Sequence, residues 1–389
     1  MDNKTSKVMF ALLCSAICGD PLSDEKKALY NAEMLPQIAT VAKQHDALHL
    51  LVFGLKKNDL LNESSKWLET EIFRAVYRYE QQKYEFNRIC EALEKSEIPF
   101  IPLKGSVLRE YYSEPWIRTS CDIDILVHNE DLEKAILCLS EELKYILKDR
   151  ATHDVSLFAP NGVHVELHFD LLEEGRANNA IEILSGVWKN VALCENSKFC
   201  YEMTDEFFYF YHIAHMAKHF ENGGCGIRPF VDLVVLDRMD GENFSKRDEL
   251  LKSGGLLQFA RASRKLSRIW FCNEQSDELS EQIQDFILRG GSYGTTDNRV
   301  AVHKKQGKIK YIFSRMFIPY AKLKRYYPIL EKHKWLMPIM QIRRWFMMLD
   351  PNVRGMAKRE ISVNSSLCLV IHYETKSSHS PHFLLFFEN

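Results

Sequence analysis

The chain has 389 residues, 46% apolar and 27% charged, with a formal net charge of −2, the profile of a globular protein of one large or two ordinary domains. No apolar run approaches the ~20 residues a membrane span requires, and ten cysteines without a Cys-x-x-Cys pair argue for a reducing cytoplasm over a disulfide scaffold or zinc knuckle. The small net charge hides a segregation: residues 302–344 carry twelve Lys and Arg against the single acid Glu331, which points to an anionic partner or an internal docking surface.

In chain order, Lys4 and Lys7 precede an apolar run at 8–17 that is short enough to pass for a signal-peptide core. Ile17 is not the small residue that processing at Cys18 would need, and no A-x-A-like site follows; the run is expected to be a first helix buried by its neighbours. Apolar residues at three- and four-residue spacing predict helices from 24 onward, over 33–51 and over 63–95. In the last, Trp67, Ile72, Val76, Tyr79, Phe86, Ile89 and Leu93 read as a packing stripe. Residues 1–97 form an N-terminal helical region.

The pattern changes at 98–175. A strand is expected over 98–103, held to a sheet edge by Pro99 and Pro102. Lys104-Gly105-Ser106 then opens a short helix over 106–112, where glycine lets backbone amides approach an anion. The next strand, 121–127, holds Asp122 and Asp124 inside an apolar run. Side chains alternate along a strand, so the two carboxylates share one face while Ile123 and Ile125 enter the core. Paired carboxylates repel, and a hard divalent cation, Mg²⁺ or Mn²⁺, removes that penalty. Asn129 is placed to cap a helix over 131–143. Asn161-Gly162 between 154–158 and 163–169 signals a hairpin. On its second strand His164, Glu166 and His168 share the polar face, which makes Glu166 a third carboxylate for the same metals.

Residues 176–350 read as a C-terminal helical region. A helix over 204–220 carries His212, His215 and His219. The last two are one turn apart, but Met216 stands where a zinc protease needs Glu. A nucleotide- or substrate-contacting face is the expectation, extended by Lys218, Gly223, Gly224 and Arg228, with Asp232 as a partner for Arg228. Aromatics interleave with the cations of 302–344, a pattern that suits single-stranded nucleic acid or a membrane surface. Packing of those aromatics on a helical core, with the lysines in water, is the favoured alternative. Nothing is read in the tail, 351–389.

The pieces Leu103-Lys104-Gly105, Arg118-x-x-x-Asp122-Ile-Asp124-Ile-Leu-Val127, Val165-Glu166-Leu167-His168 and His215-x-x-x-His219 with Arg228 and Asp232 together resemble the DNA-polymerase-beta-like nucleotidyltransferase superfamily. They are closest to its bacterial, uncharacterised type 5 family, over about residues 8–345. The resemblance implies an α+β fold, a small mixed nucleotidyltransferase sheet with flanking helical regions. It implies transfer of a nucleoside monophosphate from an NTP to an unidentified hydroxyl-type acceptor, with pyrophosphate released. Asp122, Asp124 and Glu166 would hold the metals, and Gly105 and Ser106 the terminal phosphates. Lys104 and Arg118 would neutralise developing charge, His215, His219 and Arg228 would contact nucleotide or substrate, and His168 would orient the acceptor or act as base. A nucleotide-binding module without turnover and a metal-dependent hydrolase are the alternatives.

Overall fold

A computed structural model describes residues 1–171, 179–221, 223–239 and 244–292, isolated positions between 294 and 327, and the elements within 329–347, 368–374 and 382–388. Most of the basic aromatic segment thus lies outside the described residues. Of its described part, Tyr320 and Tyr327 pack on Leu323 and Leu330, while Trp335 is exposed. The unread tail contributes two paired strands, Cys368–Glu374 and His382–Glu388.

Five strands form the central sheet: β1 (Phe100–Pro102), β2 (Asp122–Val127), β3 (Ile146–Arg150), β4 (Asp154–Phe158) and β5 (His164–His168), in the spatial order β1-β2-β5-β4-β3. β2 and β5 are parallel and every other pair is antiparallel, so the sheet is mixed and the fold is α+β, as expected. β1 lies at an edge of this sheet, where Pro102 removes no ladder donor that matters. The Asn161-Gly162 turn closes β4 onto β5, with Gly162 at φ 88°. β3 was not foreseen: Ile146–Arg150 is exposed throughout, an edge strand with no buried face to impose alternation.

Alternation splits the sheet into two faces. Ile123, Ile125, Val127, Val155, Leu157, Val165 and Leu167 pack against α5 (Thr70–Lys95) and α7 (Leu132–Glu142), through Ile89, Leu93, Ile136 and Leu139. The other face carries the polar residues and Leu126, which belongs to a second core. That core is helical, built from α1 (Asn3–Cys18), α4 (Leu48–Lys57), α9 (Asp205–Glu221), α10 (Arg228–Met239), α12 (Leu257–Phe271) and α13 (Glu278–Gly290).

The apolar run at 8–17 is inside this core, with Met9, Leu12, Leu13 and Ala16 fully buried in α1. α1 and α4 touch backbone to backbone: a Cβ at Gly54 would lie 2.2 Å from the Leu12 carbonyl oxygen. Among the described residues no helix is long and apolar enough to cross a membrane.

Three local expectations change. The helix over 33–51 is two helices, α3 (Leu35–Gln44) and α4, because Asp46 adopts φ 55° between them, a left-handed conformation a helix cannot continue through. Asn129 lies within a single 3-10 turn and caps nothing; α7 starts without a side-chain cap. The stripe on α5 is displaced: Trp67 is exposed, and Gln82 and Glu85 are buried beside Ala75, Ile89 and Leu93. Those two polar residues are bonded. Glu85 accepts from Tyr145 at 2.6 Å, Asn161 at 2.8 Å and Arg88 at 3.0 Å, so burial leaves its oxygens satisfied.

Candidate active site

The turn after β1 sets the first side of the site. Leu103 donates to the Asp124 carbonyl at 3.0 Å, tying the turn to β2. Lys104 follows at φ 44°, ψ −114°, a strained conformation for a residue with a Cβ. It brings Nζ to 2.9 Å from Oδ1 of Asp124. Gly105 is there for space: a Cβ would come within 3.0 Å of the Ser120 side chain. Ser120 is held in place by a buried network, accepting from Arg109 at 3.0 Å and donating to Gln82 at 3.0 Å, while Arg109 also bonds the Gly105 carbonyl at 2.8 Å. The Ser106 amide is used within the turn, donating to Leu103 at 3.2 Å, which leaves the hydroxyl as its group for a ligand.

The β2–β5 register builds the second side. Asp122 stands opposite His164, Asp124 opposite Glu166, and Leu126 opposite His168. Parity alone therefore puts the three carboxylates and both histidines on one face. His168 donates from Nε2 to Asp124 Oδ1 at 2.9 Å, and the same nitrogen is 3.4 Å from Glu166 Oε2. His164 meets Ser156 at 2.5 Å and stacks on Phe158.

Electrostatics separate the two aspartates. Burial, and then the neighbouring Asp124 charge, push Asp122 up to about 6. Asp124 is buried more deeply, which alone would raise it, but Lys104 and His168 hold it below the usual carboxylate range. The bond to His168 lowers Glu166 against its burial. His168 is raised in turn, its bonds to Asp124 and Glu166 outweighing burial. The face thus keeps one carboxylate neutralised by a lysine and another close to taking a proton.

This donor set fits a divalent cation. Single ligand atoms of Asp122, His164 and Glu166 lie within 4.8 Å of one another, as do those of Asp124, Glu166 and His168. Glu166 belongs to both groups, and carboxylate oxygens are what Mg²⁺ and Mn²⁺ take. Asp124 already holds the Lys104 ammonium at 2.9 Å, so the position attracts positive charge.

Other predicted residues are placed differently. Arg118 does not reach the carboxylates; it makes a two-pronged bond to Asp232, at 2.7 and 3.0 Å, joined by the Tyr112 hydroxyl at 2.6 Å. Asp232 is thus the partner of Arg118, and the expected pairing with Arg228 does not form. Arg228 bonds the Thr119 carbonyl at 3.0 Å and pairs with Asp46 at 3.0 Å, so it braces the α3–α4 break against the segment before β2.

His215 and His219 do share a face of α9, with Nε2 atoms 3.2 Å apart. Neither enters any group of three metal-ligating side chains among the described residues. Burial and then Lys104 hold His215 well below its ordinary value, which places α9 over the lysine. The residue one turn earlier, Tyr211, went unnoticed in the sequence. Its hydroxyl is buried and makes no hydrogen bond, and the charges it feels are Lys104, Asp124, Glu166 and Asp122. The i, i+4, i+8 series 211, 215, 219 was the signal that would have found it.

No curated protein matches the chain. A family described as uncharacterised nucleotidyltransferase matches residues 32–272, more than half the chain and a span that contains every site residue described above. On that match, and on a mixed sheet with its acids gathered on one face, the chain belongs to this nucleotidyltransferase family and is an enzyme of that class.

Proposed function

We propose that the protein moves a nucleoside monophosphate from an NTP to a hydroxyl-type acceptor: the acceptor oxygen bonds to the α-phosphorus, the bond to the β-phosphate bridge breaks, and pyrophosphate leaves. The observation that carries this is the parallel register that sets Asp124 opposite Glu166 and leaves Asp122 on the same face. Asp122, Asp124 and Glu166 would hold divalent metal, Mg²⁺ or Mn²⁺. When bound, such an ion neutralises phosphate charge and lowers the pKa of an acceptor hydroxyl.

The chain's own groups divide the remaining work. The Gly105 amide and the Ser106 hydroxyl lie in the turn that would receive the terminal phosphates. Lys104, whose Nζ lies on Asp124, would supply its ammonium to phosphate oxygens. His168 is read as the group that fixes the Asp124 carboxylate, since its Nε2 proton already points there. Arg118, Asp232 and Tyr112 hold α10 against the segment before β2 and position β2 indirectly. Tyr211 and His215, on α9, close the site from above and offer a hydroxyl and an imidazole to the nucleotide or acceptor.

The test is Glu166→Gln. Asp122, Asp124 and the Gly105-Ser106 turn remain for nucleotide, so Mg²⁺-dependent NTP affinity by calorimetry should stay within a few fold. Pyrophosphate release with cell extract as acceptor source should fall by at least ~10²-fold, the scale of losing one electrostatic stabiliser. Loss of binding and turnover together would make Glu166 a pocket-shaping residue. Tight NTP binding by wild type without pyrophosphate release under any extract would leave a binding module.

A further inference from the structure

The carboxylate face continues past Glu166. In the β4–β5 register Asp154 stands opposite His168, and His153, just before β4, turns its ring toward both. His153 Nε2 is 3.1 Å from Asp154 Oδ2, and the rings of His153 and His168 are 5.7 Å apart. One ligand atom from each of His153, Asp154 and His168 lies within 4.8 Å of the other two. Neither His153 nor Asp154 is among the motif residues read from the sequence above.

His168 makes this more than a polar cluster. It is 2% exposed; its Nε2 donates to Asp124, and its Nδ1 is buried without a hydrogen-bond partner. A buried nitrogen left without a partner keeps the full cost of its desolvation. An imidazole that gives one N–H to a carboxylate presents a lone pair on the other nitrogen, which is how metal-bound histidines are oriented and made more basic. The 3.1 Å between His153 and Asp154 is close to the ~3.3 Å edge of a tetrahedron with zinc-like bonds of ~2.0 Å. The charged groups facing Asp154 are His168, Glu166, Lys104 and Lys218, and Lys104 is already engaged by Asp124.

We infer that His153, Asp154 and Nδ1 of His168 form a second metal centre, one that takes a divalent transition metal through two imidazoles and a carboxylate. Two nitrogens and one oxygen favour the Zn²⁺, Co²⁺ and Fe²⁺ class over Mg²⁺, which prefers oxygen alone. Three protein ligands leave at least one position open to water or to a substrate group. Through His168 this centre is joined to Asp124, so its occupancy sets how firmly Asp124 is held. The inference goes beyond the nucleotidyl-transfer reading and uses none of its steps.

The experiment reads metal uptake. Full-length protein, stripped by chelator, is titrated with Co²⁺ in excess Mg²⁺ and followed by visible d–d absorption and equilibrium dialysis. Wild type should bind one Co²⁺ that Mg²⁺ does not displace. His153→Ala should weaken that binding at least as much as the ~10–100-fold typical of losing an outer-shell partner. Asp122→Asn should keep it. His153→Cys should retain Co²⁺ and add a thiolate-to-cobalt charge-transfer band, which tests the ligand directly even if the alanine variant folds poorly. The inference is overturned if no Co²⁺ survives the Mg²⁺ excess, or if Asp122→Asn loses the ion while His153→Ala keeps it. It is equally overturned if His153→Cys binds Co²⁺ without the charge-transfer band.

Discussion

The two faces of the central sheet are made from alternate residues of the same strands, and they answer to different demands. On one, Ile123, Ile125, Val165 and Leu167 close against the apolar residues of α5 and α7. On the other, Asp122, Asp124, Glu166 and His168 crowd together, with Asp124 and His168 only 2% exposed. Buried ion pairs contribute little net stability, and apolar residues in their place would often do as well. The apolar face therefore carries the fold and the polar face costs it something, which is the signature of residues kept for chemistry.

That contrast can be broken most forcefully at Asp124. Asp124→Asn should abolish nucleotidyl transfer and also cost about 3–5 kcal/mol in denaturant unfolding, because the Lys104 ammonium loses the carboxylate that compensates it. The sequence alone suggests that removing either aspartate relieves repulsion; the ion pair with Lys104 reverses that expectation for Asp124. On the apolar face, Ile125→Ala should cost about 2–5 kcal/mol, yet leave turnover per folded molecule near wild type. Equal losses of activity per folded molecule at Ile125 and Asp124 would erase the distinction between the faces.

Asp122 sharpens the comparison through pH. Its carboxyl is pushed up to about 6 in the folded chain, above the ~3.9 of an unfolded aspartate. Between those values the folded state binds more protons, so metal-free protein gains stability from this group as pH falls from 6 towards 4. Asp122→Asn should abolish transfer, yet be more stable than wild type by up to about 3 kcal/mol above pH 6. That advantage should shrink to nothing near pH 4. Chemical denaturation of both proteins across that range checks it; an advantage independent of pH would place the strain elsewhere. The smallest effect belongs to Tyr211→Phe, which removes a buried hydroxyl without a partner. Stability should hold or rise by about 1 kcal/mol while Mg²⁺-dependent NTP turnover falls, a separation that thermal melts and pyrophosphate release will show.

Much of the polar face was legible because strand parity is a rigid rule: Asp122 and Asp124, then His164, Glu166 and His168, needed only their own spacing to be assigned to common faces. Asn161-Gly162 likewise announced its hairpin. What the sequence withheld depends on partners far along the chain. Nothing local says that Arg118 pairs with Asp232 and Arg228 with Asp46, since each cation has several acids to choose from. Trp67 follows the helical period of α5 but lies in a 3-10 turn, Lys66–Glu69, that precedes it. Asp46 breaks a helix by taking a left-handed conformation that tertiary bonds at Arg228 stabilise. Tyr211 and His153 carry no motif; only the packing of α9 and the approach to β4 bring them to the carboxylates.

The sheet order has a consequence for how the protein is made. β1 pairs with β2, and β3, β4 and β5 pair in succession, so each group is assembled from neighbours in the chain. The two groups meet only along β2–β5, the parallel seam, which needs a long crossover and is slow to form. Asp122 and Asp124 lie on one side of that seam and Glu166 on the other. During synthesis, at ~5–20 residues per second, both groups wait with an open strand edge, the surface most prone to pair with a neighbouring chain. The carboxylate trio cannot exist before the seam closes, so a nascent or misassembled molecule holds only part of the set. Assembly of the proposed metal site and completion of the sheet are the same event, so metal uptake at that site would report that the sheet has closed.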